Sequence, residues 1–247
     1  CAALGVNISA SDYILPRVRC ITAPDSAVVM MRLIDFLRRT FSFGKGVIAG
    51  MPHDAEQRNP FNFFGEWCRA ADDAGLLMPE AMALSTADSS GKPSSRMVLM
   101  KSFDEHGFVF FTNYGSRKAD ELDTNPQAAL LFHWTQLQRQ VRIEGSVERV
   151  TREESLDYFR TRIRGSQLGA WASRQSQPLG SRHELEQCET EMAERFEGQE
   201  VPLPEFWGGY RLKPDYFEFW QGRANRLHDR VCFIRDGEGW ETLRRFP

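Results

Sequence analysis

From Asn59 onward, hydrophobic and polar positions mostly alternate with a period of two, interrupted by a few stretches of helical period. A period of two sends successive side chains to opposite faces and marks a half-buried strand. Such runs are AMALSTA (81–87), PSSRMVLMKSF (93–103) and FVFFTN (108–113), joined by the compact turns SSGK and DEHG. ALLFHWT and QRQVRIEGSVERV read as two further antiparallel strands, and WGGYRLKP, YFEFWQG, LHDRVCFIR and GWETLRRF continue the series from Trp207. Helical signals are fewer. Asn59 as N-cap, Pro60 at the first helical position and Gly75 as stop frame a helix with the apolar face Phe61, Phe64, Trp67, Cys68 and Ala71. The stretch 116–125 is a short helix ending before Pro126. Thr151 with Glu154, and Ser181 with Glu184, have capping-box spacing and open two more helices, the second stopping at Gly198. Many strands with few, separated helices predict a mainly β, α+β chain: an antiparallel barrel with peripheral helices.

Composition narrows the function. A net charge of −3 gives no global sign of a nucleic-acid partner, so any anion site must be a local cluster. The five cysteines are scattered and odd in number, with no CxxC, and the histidines show no HxxxH. Structural zinc and a disulfide framework are therefore not expected, and a reducing, cytoplasmic setting is. No apolar run approaches transmembrane length, so no membrane partner is expected. With no GxGxxG after a strand and no GxxxxGK[ST], Rossmann and P-loop folds drop out. Residues 1–36 hold no sustained period and read as an N-terminal extension of no assigned role, with 37–247 as one domain. Acidic residues and the lack of a small-residue cleavage pattern speak against a presequence, and Met30 or Met31 would serve as a start.

Candidate chemistry lies in clusters of cations. If RLHDR (226–230) is extended, Arg226, His228 and Arg230 share one face, a receptor for an anion beside a reacting centre, while Leu227 and Asp229 point away. A solvated edge strand with Asp229 pairing an arginine fits the same pattern. Arg96 and Lys101 sit in apolar sequence at an odd spacing, so a regular strand places them on opposite faces unless a bulge intervenes. Arg117 and Lys118 occupy the first turn of their helix, where free N–H groups and two cations describe a phosphate site; pairing with Asp120 or Glu121 is the plainer reading. Tyr158 and Arg162, four apart on a helix, with Ser166 just beyond, suit a second phosphate, or else a surface arginine on a tyrosine. Gln140 in a strand has an amide for a planar heterocycle, and Gln175 and Ser176 are loop polar groups. Together these point to a phosphorylated planar cofactor with a phosphorylated substrate.

The motifs SSRMVLMK, FFTNYGSRKADEL, LQRQVRIEG, YFRTRIRGSQLGAWASRQSQ, EVPLPEFWGGYRL and FEFWQGRANRLHDR, in that order, resemble the pyridoxine (pyridoxamine) 5′-phosphate oxidase family from about Arg38 to Pro247. The resemblance implies a split antiparallel β-barrel binding FMN at a homodimer interface. It implies FMN contacts from Arg96, Met97, Val98, Thr112, Arg117, Lys118, Gln140, Gln175, Ser176, Trp220 and Arg230, with Arg117 and Lys118 on its phosphate. It implies a substrate phosphate held by Lys101, Tyr158, Arg162 and Ser166, with Arg226, Leu227 and His228 over the pyridine ring and Arg226 and His228 catalytic. The implied reaction oxidises pyridoxine or pyridoxamine 5′-phosphate with dioxygen to pyridoxal 5′-phosphate and hydrogen peroxide. The family's N-terminal basic-aromatic segment is matched only loosely, by RRTF (38–41), and Ile163 and Gly165 stand where the family carries proline and a polar residue. A split-barrel flavin reductase, or a flavin or pyridoxal phosphate carrier without turnover, are the alternatives.

Overall fold

The computed structural model describes residues 50–247; the extension at 1–36 and the RRTF segment lie outside them. Helix α1 (Pro60–Asp73) begins as expected, with Asn59 Oδ1 accepting from the backbone N–H of Phe61 at 3.0 Å and of Asn62 at 3.3 Å. It buries Phe61, Phe63, Phe64, Trp67 and Ala71, and Gly75 beyond its end takes the left-handed φ of +72°. Phe63, not anticipated, stacks on Phe219 at 4.3 Å, and Phe64 meets Phe108 and Phe132 edge-on, each at 4.9 Å. The helix thus fills the concave side of the sheet with aromatic rings.

Among the described residues, nine strands form one antiparallel sheet: β1 (Ala81–Ala87), β2 (Pro93–Leu99), β3 (Ser102–Asp104), β4 (Gly107–Asn113), β5 (Gln127–Trp134), β6 (Arg139–Arg149), β7 (Trp207–Gln221), β8 (Asp229–Asp236) and β9 (Gly239–Arg244). The path β2-β1-β5-β6-β7-β4-β3 curls so that consecutive strands β2 and β3 sit at its two ends, and β8 and β9 branch from β7. Strict alternation on β1 and β5 sends Met82, Leu84, Leu130, Phe132 and Trp134 into the core. The first two of the four runs expected from Trp207 are a single strand of 15 residues, β7. Its first part pairs with β4 and its second with β8, while β6 runs along the other edge throughout. A register shift at Glu144/Gly145 faces Pro214 and bends the pair where β7 changes partner. Gly145 is required there, since a Cβ on it would lie 2.0 Å from the Lys213 carbonyl oxygen.

The other helices are α2 (Arg117–Thr124), α3 (Arg152–Thr161), α4 (Arg164–Ala172) and α5 (Arg182–Arg195). Thr151 and Glu154 form the full capping box. At Ser181 only half of one forms, because the Glu184 carboxylate accepts from the N–H of Gly180 instead. Helix α4 was not anticipated, so Ser166 lies inside a second helix rather than just past the first. A second core of Phe159, Leu168, Phe196, Val201, Leu203 and Trp207 packs these helices around the start of β7. No helix of the described residues is long and apolar enough to cross a membrane.

Candidate active site

A cavity of about 950 Å³ opens where the curled sheet closes. β2 lines it with Arg96, Met97 and Val98. The single run expected over 93–103 breaks after Leu99: Met100 N–H still bonds the Glu80 carbonyl at 3.0 Å, but Lys101 N–H bonds Val109 on β4 at 2.8 Å. This switch of partner from β1 to β4 closes the barrel and brings Lys101 into the same cavity as Arg96 despite their odd spacing.

At one part of the cavity stand Thr112, Arg117, Lys118, Gln175 and Ser176. Lys118 is buried, 7% exposed, and its Nζ donates to Thr112 Oγ1 at 2.9 Å, Ser116 Oγ at 3.0 Å and Gln175 Oε1 at 2.9 Å. Burial, and then the Arg96 charge, lower its pKa to about 8, against the opposing pull of Glu121. The loop carrying Gln175 is fixed by Asn113 Nδ2 donating to the Ser173 carbonyl at 3.1 Å, and Ser176 takes a left-handed φ of +72°. Behind this wall lies Glu121, which accepts from Arg117 Nε at 2.8 Å, Arg96 Nη2 at 3.2 Å and Ser94 Oγ at 2.6 Å, and also from Thr86 Oγ1. Burial acts to raise its pKa, but these hydrogen bonds outweigh it and hold the carboxyl at about 2. The Arg117–Glu121 pairing was the plainer of the two sequence readings; Glu121 as a bridge to β2 was not visible in the sequence.

Another part of the cavity gathers Lys101, Tyr158, Arg162 and Ser166. Tyr158 stacks on Phe111 at 4.1 Å, and Phe111 in turn on Trp207 at 5.4 Å. Gly209 permits this stack, since a Cβ on it would lie 2.8 Å from the Phe111 ring. Arg162 is the C-cap of α3 with ψ 142°, so it does not continue the helical face of Tyr158 as expected. Its guanidinium lies 4.8 Å from the Trp207 ring, and its Nη1 is buried with no hydrogen-bond partner. An anion beside Nη1 would complete it. Five cations, Arg96, Lys101, Arg117, Lys118 and Arg162, line the cavity, with no carboxylate among its lining residues.

Six expected site residues lie elsewhere. Gln140, Trp220 and Arg230 are register partners across β6, β7 and β8 and form one row on one sheet face. Arg230 is engaged by Glu218, with Nε to Oε1 at 3.1 Å and Nη2 to Oε2 at 2.8 Å, and donates to the Phe246 carbonyl at 2.9 Å. The expectation that Arg226, His228 and Arg230 share a strand face is corrected. β8 starts at Asp229, and Arg226 ends a short 3₁₀ turn, with φ +58° at Asn225 and +61° at Arg226. Leu227 is 70% exposed. His228 tilts against Trp220 at 4.6 Å, and its Nδ1 accepts from the Arg223 N–H at 3.1 Å. An ion pair of Arg223 with Asp229 at 3.0 Å closes the turn.

Residues 69–192 match the family described as pyridoxamine 5′-phosphate oxidase, and residues 207–247 match the pyridoxine 5′-phosphate oxidase C-terminal dimerisation region. The pyridoxine/pyridoxamine 5′-phosphate oxidase of Colwellia psychrerythraea is 55% identical over 217 residues, covering 88% of this chain and 100% of that protein. That of Rubrobacter xylanophilus is 56% identical over 199 residues, covering 81% of this chain and 92% of its own. Among solved structures, PhzG from Burkholderia lata, in complex with tetrahydrophenazine-1-carboxylic acid, superposes with a TM-score of 0.75 at 32% identity, covering 80% of this chain and 98% of that one. The fold is the split β-barrel of these relatives, and the chain belongs to the pyridoxine/pyridoxamine 5′-phosphate oxidase family of enzymes.

Proposed function

We propose that the protein is an FMN-dependent oxidase acting on pyridoxine 5′-phosphate or pyridoxamine 5′-phosphate, as a homodimer with flavin at its interface. The observation that carries this is one cavity lined by five cations, in which Arg162 Nη1 is buried without a partner. A cation set without lining carboxylates fits two phosphates better than one neutral ligand.

The residues present fit FMN. Arg96, Arg117, Lys118, Thr112 and Ser176 would hold its phosphate, with Met97, Val98 and Gln175 beside it. The chemistry FMN supplies when bound is acceptance of a hydride from the C4′ carbon, with dioxygen taking up the electrons as hydrogen peroxide. The alcohol gives pyridoxal 5′-phosphate directly, and the amine does so with water entering and ammonia leaving. Lys101, Tyr158, Arg162 and Ser166 hold the substrate phosphate and so fix the distance of C4′ from the reacting centre. Gln140, Trp220, Arg230, Arg226, Leu227 and His228 do not line the same chain's cavity; the match of 207–247 to a dimerisation region supports the last five reaching the partner's cavity, and Gln140 lies beside Trp220 in the same row. Arg226 and His228 then orient the pyridine ring. With Nδ1 accepting from the Arg223 N–H, His228 meets the C4′ substituent through Nε2. A cytoplasmic location belongs to the same reading, supported by the free thiols of Cys68, Cys188 and Cys232.

The test is flavin absorbance of the FMN-loaded protein mixed anaerobically with pyridoxine 5′-phosphate, then with air. Bleaching, recovery and formation of pyridoxal 5′-phosphate are expected. Flavin that stays oxidised with both pyridoxine and pyridoxamine phosphates overturns the substrate assignment. It would favour action on another planar substrate, a reading that the likeness to PhzG keeps in view.

A further inference from the structure

We propose that Glu121 is a positioning residue that spans Arg96 on β2 and Arg117 on α2 and holds both guanidiniums for one phosphate; the proposal rests on the reading that this end of the cavity takes the phosphate of FMN. A carboxylate near an anion site needs a reason, because its charge opposes the ligand. Glu121 is 4% exposed and stands behind the cavity wall rather than in it. Its two oxygens are divided between the arginines: Oε1 takes Arg117 Nε at 2.8 Å, and Oε2 takes Arg96 Nη2 at 3.2 Å.

The division decides what each arginine has left. Arg117 is engaged through Nε alone among the described hydrogen bonds, which leaves its two terminal nitrogens for an anion in the bidentate manner. Arg96 is tied through both terminal nitrogens, with Nη1 on the Leu84 carbonyl at 3.2 Å and on Thr86 Oγ1 at 2.5 Å, and Nη2 on Ser94 Oγ and Glu121, so among the described hydrogen bonds its Nε–H is what is left for the phosphate. Thr86 and Ser94 themselves donate to Glu121, so the strand pair β1–β2 and helix α2 meet at this one carboxylate. Without it, Arg96, Arg117 and the buried Lys118 are cations facing one another, and their side chains spread apart before a ligand arrives. Pre-ordering them lowers the cost of binding at the moment of association.

The test compares FMN with riboflavin, which lacks the phosphate. Dissociation constants for both are measured by flavin fluorescence quenching on the full-length apoprotein, wild type and Glu121→Gln. The expected result is that the preference for FMN over riboflavin falls about tenfold or more, the scale of one charge-assisted bond, while riboflavin affinity is kept. A merely structural role would weaken both ligands together, and that outcome, or an unchanged preference, overturns the proposal. If Glu121→Gln does not fold, Glu121→Asp serves: it keeps the charge but is too short to reach both arginines, so it must lose the same preference, and retention overturns the idea. A wild-type protein that binds both flavins equally overturns the phosphate reading itself, and is seen before any substitution is made.

Discussion

Arg96 and Lys101 lie five positions apart in one apolar run, yet both line the same cavity, because the chain leaves β1 at Leu99 and joins β4 at Lys101. The site is therefore a product of barrel closure. It cannot form on a hairpin of β1 and β2 alone, since the wall opposite Arg96 is supplied by β4 and by the helices packed on β7.

Arg162 offers the most direct check on the substrate end. Its Nη1 is buried without a partner while its guanidinium rests on Trp207. Arg162→Met keeps an apolar stem over the indole and removes the charge. The KM for pyridoxine 5′-phosphate is expected to rise about a hundredfold, the scale of a desolvated charge-assisted pair, with FMN retention unchanged. Loss of FMN with no change in KM would move Arg162 to the cofactor.

Lys118 is expected to make FMN binding depend on pH. Its pKa is lowered to about 8, so above that pH the free protein carries a neutral amine where the proposed FMN phosphate would sit. An anion favours the protonated form, so binding takes up a proton and FMN affinity falls as pH rises past about 8, by at most about tenfold per unit. The effect on folding has the opposite sense. Between about 8 and 10.5 the unfolded chain binds more protons than the folded one, so the cost of burying this cation is relieved as pH rises. Titration of FMN affinity from pH 7 to 9.5 reads the first effect, and Lys118→Met flattens it. A wild-type profile already flat would mean that Lys118 does not face the phosphate.

Local signals account for what the sequence disclosed, and changes of pairing partner account for what it hid. Asn59–Pro60 and Thr151–Glu154 are complete within four residues, and the alternation on β1 and β5 needs only one buried face, so all were legible. The break after Leu99 was not, because it is set by which strand lies alongside. The extended reading of RLHDR failed for a nearer reason: Asn225 tolerates the left-handed region, and it opens a turn that carries Arg226 with it. Gly222 and Asn225 together were a turn signal that could have found it. Glu121 stood at the right helical spacing from Arg117, but nothing local ties it to Arg96, 25 positions away.

Gly209 tests how the aromatic floor sets Tyr158. A Cβ there would lie 2.8 Å from the Phe111 ring and 2.7 Å from Val150, both tighter than packing allows. Phe111 stacks on Tyr158 at 4.1 Å, so its displacement is passed to the substrate end. Gly209→Ala is expected to cost about 1–3 kcal/mol of stability, as overpacking does, and to raise KM for the phosphorylated substrate more than it alters FMN affinity. Unchanged KM in a folded variant would show that the stack does not position Tyr158.

The division of site residues into two groups leads to a test of subunit sharing. Arg96 lines the cavity, whereas Arg230 stands in the row with Trp220 and Gln140 on another face of the same chain. If each site takes its cavity from one subunit and its row from the other, Arg96→Ala and Arg230→Ala homodimers are both impaired at every site. A mixed dimer is different. One of its sites carries both substitutions, and the other pairs an intact cavity with an intact row. Dissociating and reassociating equal amounts of the two variants makes half the dimers mixed, so about one quarter of wild-type sites should return, as twofold symmetry dictates. Counting tightly bound FMN and measuring turnover should give the same fraction. No recovery, with mixed dimers demonstrated by tagging one variant, would show that each chain builds its whole site alone and that the row on β6, β7 and β8 serves some other purpose.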